Sequence, residues 1–72
     1  MSAVDVGHRI RIRRTALKMK QKELADAVGV SHVYISYMER GARAINAEML
    51  DHIATALQCQ PADLLNKKRR LV

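Results

Sequence analysis

Between Gln21 and Gly41 the chain carries two short helical patterns separated by a single glycine, and that arrangement limits the fold more than any other feature. The first pattern, about Gln21 to Val28, places Leu24, Ala25 and Val28 on one face. Gly29 supplies the left-handed residue that ends a helix at little steric cost, and Val30 plugs the corner. Ser31 is positioned as the N-cap of the second pattern, which runs to about Arg40 and stops at Gly41. Small Ala25 stands where two helices joined so tightly must approach each other. The rest of the chain has to pack around this pair.

It has the residues to do so as helices. There are only two aromatic residues and few β-branched runs, while Ala, Leu, Met, Lys, Arg, Glu and Gln dominate. The predicted fold is therefore all-α, a compact bundle of about five short helices. A first helix from about Val6 to Leu17 aligns Val6, Ile10, Arg14 and Leu17 on one stripe. Asn46 caps a fourth helix whose inward positions are Leu50, Ile53, Ala54 and Leu57. Pro61 suits the first turn of a fifth, from which Leu64 and Leu65 return to the core or to a partner. The expected organisation is one domain over residues 1–72, with a core at 6–65, the helix pair at about 21–40 and a basic tail at 66–72.

A chain of 72 residues buries only about three-fifths of its unfolded surface. Chains this small gain stability from disulfides, metals or oligomerisation. The lone cysteine, Cys59, excludes an internal disulfide and fits a reducing compartment, where its simplest role is a small apolar core or interface residue. His8, His32 and His52 lack metal-ligand spacing, so no metal is expected. No nucleophile elbow, phosphate-cradling glycine loop or paired-carboxylate motif is present, and catalysis, a cofactor and a small-molecule ligand are not expected either. Met19, Met38 and Met49 are placed as core filling. The N-terminus lacks an apolar leader and no apolar run approaches the roughly 18 residues of a membrane span, so a soluble cytoplasmic protein without membrane contact is expected.

Thirteen Lys and Arg against seven Asp and Glu leave a formal charge of +6. The basic residues cluster at Arg9, Arg11, Arg13, Arg14, Lys18, Lys20 and Lys22, and again at Lys67 to Arg70. Such density suits a polyanion through phosphate neutralisation, or else a solvated basic face. The second helix of the pair discriminates between these. At 100° per residue, His32, Val33, Ser36, Tyr37 and Arg40 share one face, with Ile35 and Met38 opposite. A merely solvated helix would carry Lys and Glu there, whereas hydroxyls, an imidazole and a valine can exchange hydrogen bonds with base edges or meet a thymine methyl. Two helices joined by a tight turn form a helix-turn-helix, which sends its second helix into a major groove.

Five segments in order then resemble the phage Cro and repressor type of helix-turn-helix, also called the XRE family. They are Val-Gly-x-Arg-Ile-Arg with Arg14, then Gln-x-Glu-Leu-Ala-x-x-Val-Gly-Val-Ser, then Tyr-Ile-Ser-x-Met-Glu-Arg-Gly, then Leu-x-x-Ile-Ala-x-Ala-Leu, and finally Asp-Leu-Leu. The resemblance covers about Val6 to Leu65, and the third segment with Arg43 is also similar to the small controller proteins of restriction-modification systems. It implies a sequence-specific regulator of transcription that binds a double-stranded DNA operator. Gln21 matches a glutamine that meets a phosphate and braces the recognition helix. Ser31, His32, Val33, Ser36 and Tyr37 fall where bases and nearby phosphates are contacted; Tyr34, partly inward on the wheel, matches a controller-protein tyrosine near DNA. Arg40 and Arg43 match backbone contacts. Arg14 and Glu39 match a pair linking the first and third helices beside a phosphate.

The chain departs from the family pattern at three places. Arg13 stands where an apolar residue is usual, with Ile12 one place earlier, so that either the first helix rotates or Ile12 is exposed. Ala47 replaces a larger apolar residue, which implies a looser contact for the fourth helix. Gln58 replaces the usual glycine after that helix, so the turn must be built differently. The leading expectation is a homodimer joined through Cys59, Leu64 and Leu65, with Leu71 nearby, on a near-palindromic operator. Binding over a promoter would repress, and binding upstream would recruit RNA polymerase. The alternatives are a DNA-binding antitoxin that neutralises a partner toxin, and the DNA-binding part of a longer repressor.

Overall fold

The computed structural model describes residues 3–65, and the Lys67 to Arg70 run and Leu71 lie outside them. Four α-helices follow one another, α1 (Ala3–Ala16), α2 (Gln21–Val28), α3 (His32–Glu39) and α4 (Ala47–Ala56), and a single 3₁₀ turn (Pro61–Leu64) closes the series. The expected fifth helix is thus one turn of 3₁₀ geometry, and α1 begins earlier than its apolar stripe suggested. No described helix is long and apolar enough to cross a membrane.

The predicted stripes are the ones that pack. Val6 and Ile10 from α1, Leu24 and Ala25 from α2, Ile35 and Met38 from α3, Leu50, Ile53 and Ala54 from α4 and Leu57 just after it form one buried cluster with Leu64. Val28, Val30, Leu17, Met19 and Met49 pack against its rim. Removing these side chains from water is the main favourable contribution to folding. Gly7 has a separate role, because α1 crosses the end of α3 at backbone distance. A Cβ at residue 7 would overlap the main-chain carbonyl oxygens of Met38 and Glu39, neither of which can move without breaking α3.

Helix starts follow the sequence signals. Ser31 Oγ accepts the Tyr34 N–H at 3.1 Å and Asn46 Oδ1 accepts the Met49 N–H at 2.7 Å. At α2 and at the 3₁₀ turn the bond runs the other way: the Lys20 N–H donates to the Glu23 carboxylate at 2.7 Å and the Gln60 N–H to that of Asp63 at 2.9 Å. Both patterns satisfy amides that a helix start leaves free.

All four helices end alike, with one left-handed residue whose successor donates back five positions. These residues are Lys18 (φ 58°), Gly29 (φ 86°), Gly41 (φ 75°) and Gln58 (φ 60°). The returning bonds are Met19 N–H to Arg14 O, Val30 N–H to Ala25 O, Ala42 N–H to Tyr37 O and Cys59 N–H to Ala54 O, all between 2.9 and 3.0 Å. Gly29 and Gly41 take this conformation cheaply, whereas Lys18 and Gln58 each pay about 1–2 kcal/mol for it. Both non-glycine ends are secured by an arginine of α1. Arg13 Nε donates to Leu57 O at 2.9 Å and its Nη2 to Gln58 O at 3.0 Å, while Arg14 Nη1 donates to Met19 O at 2.7 Å. This accounts for two departures at once: Arg13 replaces an apolar residue because it caps α4, and Gln58 does without glycine because it is capped. Ile12 is the side chain displaced outward, 53 % exposed.

Two variants test this packing. Gly7→Ala should cost at least about 2 kcal/mol of unfolding free energy, since one methyl is forced into fixed backbone; an unchanged denaturant midpoint would contradict the close approach. Arg13→Met should cost about 1 kcal/mol by exposing two capped carbonyls, and Gln58→Gly should recover part of that loss in the double variant.

Candidate nucleic-acid interface

The outer face of α3 is the one the helical wheel predicts. Ile35 and Met38 point into the core, while Val33 is 56 % and Tyr37 39 % exposed, with His32 and Arg40 exposed and Ser36 half-buried beside them. Two apolar side chains held in water amid polar ones form a surface suited to a partner with both methyl groups and hydrogen-bonding edges. Tyr34 sits half-buried between this face and the core. The Arg43 guanidinium lies 5.2 Å from the Tyr34 ring centre, and that of Arg40 lies 5.2 Å from the Tyr37 ring centre. Each stacking holds a positive charge at the edge of the α3 face and lowers the entropy cost of presenting it.

Beneath this face runs a buried polar connection. Arg14 Nε donates to Glu39 Oε2 at 2.5 Å and Nη2 to Oε1 at 3.0 Å, with side-chain exposures of only 10 % and 2 %. The paired fork is the favoured geometry between guanidinium and carboxylate. Glu39 Oε1 also accepts from Gln21 Nε2 at 3.0 Å, and Gln21 Oε1 lies 2.9 Å from His32 Nε2. One line of hydrogen bonds therefore ties the end of α1, the end of α3, the start of α2 and the start of α3. Gln21 is thus bonded to both ends of the outward helix, to Glu39 at its last turn and to His32 at its first.

Of the residues singled out in the sequence, Ser31, His32, Val33, Tyr34, Ser36, Tyr37 and Arg40 gather on or beside α3, and Gln21 and Arg14 meet them through the buried line. Arg43 joins through its stacking on Tyr34. The residues expected at a dimer contact separate. Leu64 is 1 % exposed and belongs to the core of its own chain, the first of the two destinations considered for it, so it offers no surface to a partner. Its 3₁₀ turn packs against both α1 and α4, and that leaves Leu64 facing inward. Cys59 and Leu65 are half-buried at the rim. Burial pushes the Cys59 thiol up from its ordinary range, against an opposing pull from Arg13. That shift disfavours the reactive thiolate and agrees with a packing role. Arg13 as a cap is not among the sequence expectations, although an arginine at an apolar position together with the missing glycine at residue 58 is a usable signal. Among the described residues no cluster of His, Cys, Asp or Glu could hold a metal ion.

Replacing Glu39 with alanine would leave the Arg14 guanidinium buried without its carboxylate. Glu39→Ala should therefore lower the unfolding free energy by about 3 kcal/mol or more. Thermal or denaturant melting of the two proteins checks this, and equal midpoints would refute a structural role for the pair.

Comparison with known proteins agrees with this architecture. A helix-turn-helix family model matches residues 10–64. Repressor protein C2 of Salmonella phage P22 is 48 % identical over 65 residues, covering 90 % of this chain and 30 % of the repressor. The crystal structure of the P22 c2 repressor in complex with synthetic operator 9T superposes with a TM-score of 0.80 at 46 % identity, over 88 % of this chain and 96 % of that one. The restriction-modification controller protein C.AhdI from Aeromonas hydrophila gives a TM-score of 0.83 at 35 % identity, over 86 % of this chain and 94 % of that one. The chain spans less than half the length of several curated relatives that it matches. With the five sequence segments now placed on one helical framework, the chain belongs to the Cro/repressor-type (XRE) helix-turn-helix family of transcriptional regulators.

Proposed function

We propose that this protein binds double-stranded operator DNA in a sequence-specific manner and regulates transcription as a homodimer. The observation that carries the reading is the face of α3, where Val33 and Tyr37 stand in solvent on a helix anchored from below by Arg14, Glu39 and Gln21. Such a helix enters the major groove as a rigid body, with its first residues at the base edges. His32, Val33, Ser36 and Tyr37 then contact bases, with Tyr34 at the margin. Ser31, Gln21, Arg40 and Arg43 contact phosphates, aided by the positive start of α2 beside Gln21. Arg14 acts from beneath by holding Glu39. The operator-bound P22 repressor structure lends this docking further support.

The two-fold partner is proposed to meet the rim formed by Cys59 and Leu65, without Leu64. Symmetric pairing would set two α3 helices about 34 Å apart and call for a near-palindromic operator. An operator over a promoter would block transcription, and one upstream would bring RNA polymerase into contact with the dimer. Action on chromosomal or phage operators places the protein in the cytoplasm. The antitoxin alternative draws no support from the regulators matched above.

Selection of bound sequences from random duplexes, followed by footprinting, tests the reading. A palindrome with half-sites one helical turn apart is expected, and absence of any preference over competitor DNA would overturn it. Val33→Ala and Tyr37→Ala should each change the selected sequence and cost about 1–3 kcal/mol on the original operator. Arg43→Ala should weaken binding to all duplexes alike and reduce the salt slope by about one.

A further inference from the structure

The hydrogen-bonded line from Arg14 to His32 has a direction, and the direction is fixed at its buried end. The Glu39 carboxylate receives both Arg14 bonds and one from Gln21. Beside a guanidinium it is an acceptor at each of these contacts, so the Gln21 amide must turn its nitrogen toward it. The same amide then turns its oxygen outward, and that oxygen lies 2.9 Å from His32 Nε2. An amide oxygen cannot donate, so the proton between them belongs to Nε2; the opposite tautomer would set two lone pairs face to face. In a neutral imidazole one nitrogen donates and the other accepts. With Nε2 committed as donor, Nδ1 is left as an acceptor on an exposed residue at the first position of α3.

We propose that this relay makes His32 a specificity-determining residue that offers Nδ1 as a hydrogen-bond acceptor and selects a base with an exocyclic amine, adenine N6 or cytosine N4, in the major groove. The inference rests on the DNA-binding reading given above. Adenine and cytosine are the bases that present a donor in that groove, whereas guanine O6 and N7 and thymine O4 are acceptors and would oppose Nδ1 lone pair to lone pair. Phosphate oxygens are acceptors as well, so this tautomer is directed to a base edge and away from the backbone. Glu39 and Gln21 are positioning residues in this scheme: they touch no base through the relay and determine which atom of His32 is protonated. The buried salt bridge thereby does more than hold helices together, because the Arg14 charge fixes a donor–acceptor pattern at the protein surface.

The tautomer is measurable on the free protein by long-range proton–nitrogen correlation of the imidazole rings. His32 should show the proton on Nε2, and Gln21→Met, which keeps the side-chain length and removes the amide, should show a mixture. A His32 ring protonated on Nδ1 in the unmodified protein would overturn the relay. The base assignment is read separately, on the duplex recovered by selection, by replacing each adenine or cytosine of a half-site with its analogue lacking the amine. One position should lose about tenfold in affinity; the loss should shrink in Gln21→Met and vanish in His32→Ala. A His32-dependent loss on removing guanine N7, or no His32-dependent position at all, would overturn the base assignment while leaving specific DNA binding intact. If no duplex is selected, the DNA-binding reading falls and the base assignment falls with it, while the ring spectrum still decides the relay.

Discussion

The bidentate contact between Arg14 and Glu39 is the constraint on which the rest of the molecule depends. It joins the end of α1 to the end of α3 across a nearly dry interface. Two charges removed from water are tolerable only when they are paired and further hydrogen-bonded. Here all three guanidinium nitrogens are bonded, the third to Met19 O, and the carboxylate accepts from Gln21 besides Arg14. The pair therefore fixes the position of α3 relative to two other helices, and it fixes one end of the surface that α3 presents. Gly7 completes the arrangement by letting α1 lie against the α3 carbonyls with no side chain between them.

Much of this architecture could be read directly from the residues. The α2 limits, the caps at Ser31 and Asn46, and the inward sets of α3 and α4 follow from short-range preferences that each act within one turn of helix. The outward face of α3 was equally accessible, because a helical wheel needs only the spacing of Ile35 and Met38 to orient it. What escaped the sequence was non-local. The turn at Gln58 is completed by a side chain 45 residues away, and no pattern near residue 58 announces it. Leu64 occupies a four-residue turn, too short for periodicity to tell inside from outside. The link from Gln21 to His32 arises only when two helix starts meet in space.

The site shows the same division. Residue types on α3 pointed to base contact by their chemistry, and the flanking arginines by their charge. Their pre-organisation was not visible: Arg40 and Arg43 are held against tyrosine rings, and Gln21 is held at both ends of its amide. Groups fixed in place before a ligand arrives lose less freedom when it binds. The surface of α3 is thus rigid as well as chemically mixed, and its rigidity comes from tertiary contacts.

The shared arginine caps also bear on how the molecule opens. Arg13 and Arg14 are neighbours on one turn of α1, yet one closes the end of α4 and the other the turn that leads into α2. If α1 detaches, the end of α4 loses its partner in the same event, and Gln58 no longer keeps the contact that offsets its conformational cost. Fluctuations of the N-terminal helix are accordingly coupled to fraying at the end of α4. Opening of α1 and fraying of the end of α4 therefore belong to one cooperative unit.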